Sequence, residues 1–308
     1  MENLRIYENI CKEEVLNGVQ LQKHHSEYSI GKELFAASDI GKFKVNQEDS
    51  TIIMVHPNYH DIKLIAVADG LGGHGDGDLA SKHIITTVAN WFESEIKIKH
   101  MNTIELKDRL DKVIKLSIYG LEASPYAGTT LSLALIGNNK TIIANVGDSR
   151  VYTYTNDNLK QETIDDSYVE EMYQEEVIPH RELMRFHHQS NMLTQAITKR
   201  QFGLTPRFKL INSNYDCIIA ASDGVTDCLS KEDLRNIIKN SKDSNIAKNI
   251  VQKALTTNSF LIDTIKDLTP EERQTVYKIK EVIKEDYFKK IIGGKDNATA
   301  AVYVRKHE

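Results

Sequence analysis

The sequence predicts an α+β chain in which sheets pack together and are covered by helices. Three observations carry this. Short β-type apolar runs dominate from Leu34 onward, at 51–56, 62–68, 129–136, 141–146, 150–154, 207–212, 216–221 and 298–304. Two long helical patterns stand together between the runs at 62–68 and 129–136. Neither resembles the short crossover helices of a repeating βαβ fold, so strands come in series and helices in pairs.

Each element has a local reason. Residues 1–32 are polar, with His24-His25 and little periodicity, and read as a peripheral extension to a domain spanning 33–308. In the first helical pattern Ile84, Ile85, Val88, Trp91, Phe92 and Ile96 keep one face apolar; in the second, Leu106, Leu110, Val113, Ile114, Ser117 and Leu121 do so. Residues 165–190 are rich in Asp, Glu and His and read as a solvated surface flap, with His180, His187 and His188 on it. A third helical block occupies 231–256. Residues 257–292 read as a helical insertion. There Thr269 is a good N-cap, Pro270 suits the first helical position and Glu272 completes a capping box. Val276, Ile279, Ile283 and Tyr287 then line one face, and Gly293-Gly294 ends it.

Composition narrows the class. A chain of 308 residues builds one large domain or two small ones with a sizeable core. With 40% hydrophobic and 27% charged residues it reads as an ordinary globular protein. The net charge of −5 argues against non-specific nucleic-acid binding, which needs a basic face. No run of eighteen apolar residues suggests a membrane span, and Met1-Glu2-Asn3-Leu4-Arg5 lacks an apolar signal core. Cys11, Cys217 and Cys228 are odd in number without C-x-x-C spacing, which fits reduced thiols. The expectation is a cytoplasmic monomer.

Eight carboxylates sit beside small, turn-forming residues at the ends of apolar strands. They are Asp39, Glu48, Asp49, Asp69, Asp148, Asp223, Asp227 and Asp296. Carboxylates gathered at strand ends repel one another. At ~4 Å and an effective dielectric of ~20, each pair costs roughly 4 kcal/mol. A hard divalent cation with oxygen ligands is the usual remedy. Taken singly, Asp223-Gly224 and Asp296-Asn297 are ordinary turn steps. Asp69-Gly70-Leu71-Gly72-Gly73-His74-Gly75 also contains the G-x-G-x-x-G spacing of dinucleotide sites. Asp69 would aim a carboxylate at the pyrophosphate, however, and no second strand with an acidic end follows.

The motifs in order resemble the PPM, or type 2C, metal-dependent serine/threonine protein phosphatases, in their bacterial subgroup. The matches begin with Ser38-Asp39-Ile40-Gly41, Asn46-Gln47-Glu48-Asp49-Ser50, Val67-Ala68-Asp69-Gly70-Leu71-Gly72-Gly73-His74 and Gly128-Thr129-Thr130. Val146-Gly147-Asp148-Ser149-Arg150-Val151-Tyr152, Leu193-Thr194-Gln195-Ala196, Ala221-Ser222-Asp223-Gly224-Val225-Thr226-Asp227 and Lys295-Asp296-Asn297-Ala298-Thr299 complete them. They span residues 34–304.

The resemblance implies a four-layer α-β-β-α sandwich of two antiparallel sheets flanked by helices, with the site at one end. It implies two ions, Mn²⁺ or Mg²⁺. Asp69 would bridge them, Asp223 and Asp296 would complete the first shell, and the Gly70 carbonyl with Glu48 or Asp49 would hold the second. Asp148, Asp223 and Asp227 match positions that bind a third, weaker ion. A hydroxide activated between two ions would attack the phosphorus of a phosphoserine or phosphothreonine in a protein substrate made by an opposing kinase.

Two departures stand out. Where the family places a phosphate-holding Arg, this chain has Lys44, which supplies charge without a bidentate fork. Where many eukaryotic members carry an acid His, this chain has Leu71, and His74 reads as a turn residue. Lys44 keeps open an alternative, a catalytically weak module that binds phosphoproteins or regulates. A nucleotide-binding oxidoreductase is the third reading.

Overall fold

The computed structural model describes residues 6–8, 25–72, 75–95, 97–200, 203–259 and 291–306. In chain order the first half contains β1 (Ile6–Glu8), β2 (His25–Ile30), β3 (Leu34–Asp39), β4 (Asp49–His56), β5 (Tyr59–Leu71), α1 (Gly77–Ser94), α2 (Thr103–Ser117), β6 (Gly128–Thr129), β7 (Leu131–Ile136), β8 (Lys140–Val146), β9 (Arg150–Thr155) and β10 (Asn158–Gln161). Then come α3 (Tyr168–Gln174), β11 (Ile197–Thr198), β12 (Arg207–Asn212), β13 (Cys217–Ala221), α4 (Asp223–Thr226), α5 (Lys231–Asn240), α6 (Ile246–Thr256), β14 (Asn258–Ser259), β15 (Ile291–Ile292) and β16 (Ala298–Val304).

The first sheet runs β1-β4-β5-β7-β8-β12, with β6 and β11 as a short ladder beside β5. The second runs β10-β9-β13-β16-β3-β2. Their neighbouring strands are antiparallel, as the resemblance implies.

Strand periodicity sorts the side chains into layers. On β5, Ile65 and Val67 meet Ala134, Ile143, Ile218 and Ala301 in the core between the sheets. Leu64, Ala66 and Ala68, on the other face, pack against Ile84, Val88 and Phe92 of α1 and Leu110 and Ile114 of α2. The second sheet repeats the scheme. Ile219, Ala300 and Val302 turn outward onto Leu234 and Ile238 of α5 and Ile250 and Val251 of α6. Helices, sheet, sheet and helices therefore stack as four layers. Among the described residues no helix is long and apolar enough to cross a membrane.

Local chemistry sets the helix starts. Asn102 caps α2 in a capping box with Glu105, and Ser230 caps α5 in one with Asp233. The helical block expected at 231–256 is two helices, because the chain turns at Ser241–Asn245. Within the segment expected as a peripheral extension, β1 pairs with β4 and β2 pairs with β3, adding an edge strand to each sheet.

The flap expected to be solvated at 165–190 is packed instead. Val169, Ile178, Leu183 and Met184 form a small core of their own, and Phe186 enters the core of the second sheet. Its buried charges are paired: Arg150 grips Asp165 through Nε and Nη2 at 2.9 and 2.7 Å, and Arg181 grips Glu170 at 2.5 and 2.7 Å. His187 is buried, and its Nδ1 accepts from the Gln189 amide. Of the insertion expected at 257–292, β14 and β15 pair with each other. Residues 260–290, which hold Thr269, Pro270 and the Val276–Tyr287 face, lie outside the described residues, as does His74.

Candidate metal centre

The ladder brings the first two carboxylates together. Asp49 opens β4, and its partner across the ladder is Asp69, near the end of β5. Asp223 starts α4 as the chain leaves β13, and Asp296 stands two residues before β16. Strands β13 and β16 are neighbours, so both carboxylates emerge at one end of the second sheet. Asp148 follows β8, and Asp227 ends α4, where its amide bonds to the Asp223 carbonyl.

Small polar side chains fix this end. The Asp69 amide donates to Thr130 Oγ1, and the Asp69 carbonyl accepts from Thr129 Oγ1 and from the Thr130 amide, all at 2.9 Å. Ser222 Oγ donates to Asp49 Oδ2 at 2.8 Å. Gly70 brings its backbone hard against its neighbours: an added Cβ would collide with the carbonyls of Gly77 and Glu48. The Gly70 amide bonds to the Glu48 carbonyl, which ties the end of β5 to the residue before β4.

Asn297 does more than the sequence reading assigned to it. It is 1% exposed. Its Nδ2 donates to the carbonyls of Ile40 and Asn46 at 3.0 and 3.1 Å, and its Oδ1 accepts from the Glu48 amide at 2.8 Å. One side chain thus staples the 40–48 loop to the start of β16. Only the Asp-Asn step hinted at it, and such a step also reads as a plain turn.

The electrostatics are those of crowded, buried anions. Burial pushes the Asp69 carboxyl well above its ordinary range, and the charges of Asp223, Asp49 and Asp296 add to it. Asp223 is pushed up likewise, by burial and then by Asp148, Asp296 and Asp227. Burial lifts Asp49 to about 7 against hydrogen bonds from Thr299 and Ser222. It lifts Asp148 to about 7 as well, helped by Asp165 and Asp227. Lys44 answers part of this charge. Its Nζ lies 2.7 Å from Asp296 Oδ1 and 3.6 Å from Glu48 Oε2. Burial works against its charge, but Asp296 and then Glu48 and Asp69 outweigh that and raise its pKa.

The residues suit a hard cation. Asp49 Oδ1 and Asp223 Oδ1 are buried acceptors without a hydrogen-bond partner, and buried acceptors of this kind need an explanation. Among the described residues no three carboxylates, histidines or cysteines stand close enough to hold an ion as they are. Three of the carboxylates are otherwise engaged: Asp296 with Lys44, and Asp69 and Asp223 with each other. The carboxylates are gathered but not closed into a shell. Asp39, the eighth carboxylate, stays outside: its Oδ1 accepts from the Gly41 amide, and His25 Nδ1 lies 3.3 Å from its Oδ2.

The Protein phosphatase 2C family model matches residues 44–258. Serine/threonine phosphatase stp of Listeria welshimeri is 28% identical over 210 residues, 67% of this chain and 82% of that protein. The crystal structure of serine/threonine phosphatase Stp1 from Staphylococcus aureus superposes with a TM-score of 0.66 at 23% identity, covering 93% of this chain and all of that one. The catalytic domain of serine threonine protein phosphatase PstP, solved with two manganese ions, superposes with a TM-score of 0.61 at 22% identity, covering 88% and 96% of the two chains. These superpositions match the two antiparallel sheets flanked by helices.

Two outcomes follow from the geometry. Asn297→Ala removes three hydrogen bonds of a buried side chain, one fully buried and two part-buried, so urea unfolding should show a loss of about 2–4 kcal/mol. A loss below about 0.5 kcal/mol would mean the 40–48 loop is held by other contacts. A cation bound at these carboxyls would have to expel protons from groups whose pKa values are raised, to about 7 for Asp49 and Asp148. Mn²⁺ affinity should therefore rise from pH 6 to pH 8 and level off above, by up to about tenfold per pH unit for each proton expelled. Calorimetric titration at pH 6, 7 and 8 reads this, and equal affinities would show carboxylates already ionised.

Proposed function

The chain belongs to the protein phosphatase 2C family and is a serine/threonine phosphatase, and from that premise we propose that it hydrolyses phosphoserine and phosphothreonine in proteins at the Asp69 cluster. The observation that carries this is the gathering of Asp49, Asp69, Asp223 and Asp296 at one end of the sandwich, with two carboxylate oxygens left without partners. The two-manganese relative supports Mn²⁺ as the ion, with Mg²⁺ as its alternative.

In this reading Asp69, Asp223 and Asp296 would hold one ion, and Asp69, the Gly70 carbonyl and Glu48 or Asp49 would hold the other. Asp148, Asp223 and Asp227 would hold a third. Bound divalent ions supply a water of lowered pKa and neutralise charge on the phosphoryl oxygens. The protein's own part is positional. Thr129 and Thr130 fix the Asp69 backbone, Ser222 orients Asp49, and Asn297 sets the loop that carries Lys44 and Glu48. Asp296 and Glu48 keep the Lys44 ammonium charged, so a cation is on hand for the phosphate if Lys44 lets go of Asp296. Leu71, at the end of β5, has no proton to give a leaving group. The full carboxylate set weighs against a weak regulatory module.

Asp69→Asn should lower kcat/KM on p-nitrophenyl phosphate by more than about a hundredfold, since even outer-shell partners of metal ligands are worth 10–100-fold. The same change removes a buried like charge, so the metal-free protein should melt no lower than wild type while losing its Mn²⁺-dependent rise in Tm. Full turnover by the wild type in EDTA, after bound metal is removed, would sink the reading.

Lys44→Ala separates two roles. If Lys44 serves the phosphate, KM should rise more than kcat falls, and Lys44→Arg should keep or improve activity. An unchanged KM would leave Lys44 as a partner of Asp296 only.

A further inference from the structure

The loop that carries Lys44 also carries two large apolar side chains that the fold leaves in water. Phe43 is 65% exposed and Val45 is 89% exposed. The loop is nonetheless well tied. The Lys42 amide bonds to the Gly294 carbonyl at 2.7 Å, Lys42 Nζ reaches the Leu255 carbonyl at 2.5 Å, and Asn297 holds Ile40 and Asn46. The exposed position of Phe43 is thus set by a braced backbone.

Phe43 faces a cleft of about 450 Å³. Cys228, Ile291 and Ile292 complete its apolar lining. Asp223, Asp227 and Asp296 of the metal centre form part of the same wall, so the cleft opens directly off the place where the phosphate would be attacked. Lys295 is the only cation among its described lining residues. Asn191 and Gly224 complete the lining, and a cleft with one apolar wall facing a set of carboxylates accepts an uncharged apolar side chain and disfavours an acidic one.

We propose that this cleft is a substrate subsite: it takes a large apolar side chain two residues from the phosphorylated serine or threonine. The inference rests on the phosphatase reading above and names its substrate class. In an extended peptide residues i and i+2 point to the same side, about 7 Å apart. A phosphoresidue held at the carboxylates therefore sends the side chain two positions away, not the adjacent one, into the neighbouring cleft. The gain is uniform binding of a group remote from the bond being broken, so it falls on KM more than on kcat.

The test compares phosphothreonine peptides that differ only in Leu, Ser or Asp at position +2, and a matching set at −2. Each is assayed by phosphate release with the full chain and Mn²⁺. At one of the two positions Leu should exceed Ser by about tenfold or more in kcat/KM, the scale of an apolar group gaining a pocket, and Asp should be poorest. In Phe43→Ala the Leu-to-Ser ratio should fall to within about twofold, whatever the absolute rates, and Phe43→Leu should keep it. Equal rates for Leu and Ser in the wild type at both positions, or a ratio that survives Phe43→Ala, would overturn the subsite. The cleft would then be one that a second copy of the chain or another partner covers. If no peptide and no p-nitrophenyl phosphate is turned over with Mn²⁺, the phosphatase reading falls and takes this inference with it.

Discussion

Like charges held together against their own repulsion are the constraint on which the rest of this site depends. Asp49 and Asp69 face each other across a ladder, an arrangement that weakens a sheet when the charges match. The strands cannot slip to relieve it. Shifting β4 against β5 by one residue would turn Ile65 and Val67 out of the inter-sheet core and expose the face that meets α1. The apolar core thus fixes the register, and the register forces the carboxylates together. Burial first, and the neighbouring carboxylate charges after it, raise their pKa values.

Around that cluster the chain uses hydroxyls and one amide where a core would use methyls. Ser38 bonds to Thr299, Gln47 bonds to Ser38 and to the Asp49 amide, and Thr130 bonds to Ser149. All six residues are buried. Such a network is costly when incomplete and rigid when complete. Here it lets both sheets end at the same place with their backbones pinned, so that the carboxylates are held by geometry instead of by attraction. The Asn297 staple extends the same logic to the 40–48 loop and so to Lys44 and Phe43.

Much of this was legible in the sequence, for a physical reason. Central strands of a sandwich are apolar on both faces, and the runs at 141–146 and 298–304 match β8 and β16 to within a residue. β2 escaped because an edge strand needs little apolar surface: His25-Ser26-Glu27-Tyr28-Ser29-Ile30 buries mainly Ser26. The flap was misjudged because composition counts charges without showing that Arg150 and Arg181 neutralise Asp165 and Glu170. At the site, Asp49, Asp69, Asp223 and Asp296 stood out as carboxylates at strand ends, and the fold brings them to one end. That Lys44 would lie against Asp296 was not readable, since nothing in a sequence gives the direction of a long, flexible side chain.

The balance of charge at the centre sets what it can bind. Seven carboxylates converge there: Glu48, Asp49, Asp69, Asp148, Asp223, Asp227 and Asp296. Lys44 pairs with Asp296 and Glu48, and the Arg150 guanidinium, gripped by Asp165, also acts on Asp148 and Asp227. Fully ionised, the seven carry more negative charges than these two cations offset. Protons can answer some of them, which is what the raised pKa values express, but protons do not draw in a phosphate monoester. Two divalent ions answer four. A dianionic substrate would bring two more negative charges. That balance supports the proposal of divalent cations at the cluster, and it gives Lys44 a reason to stay charged at its edge.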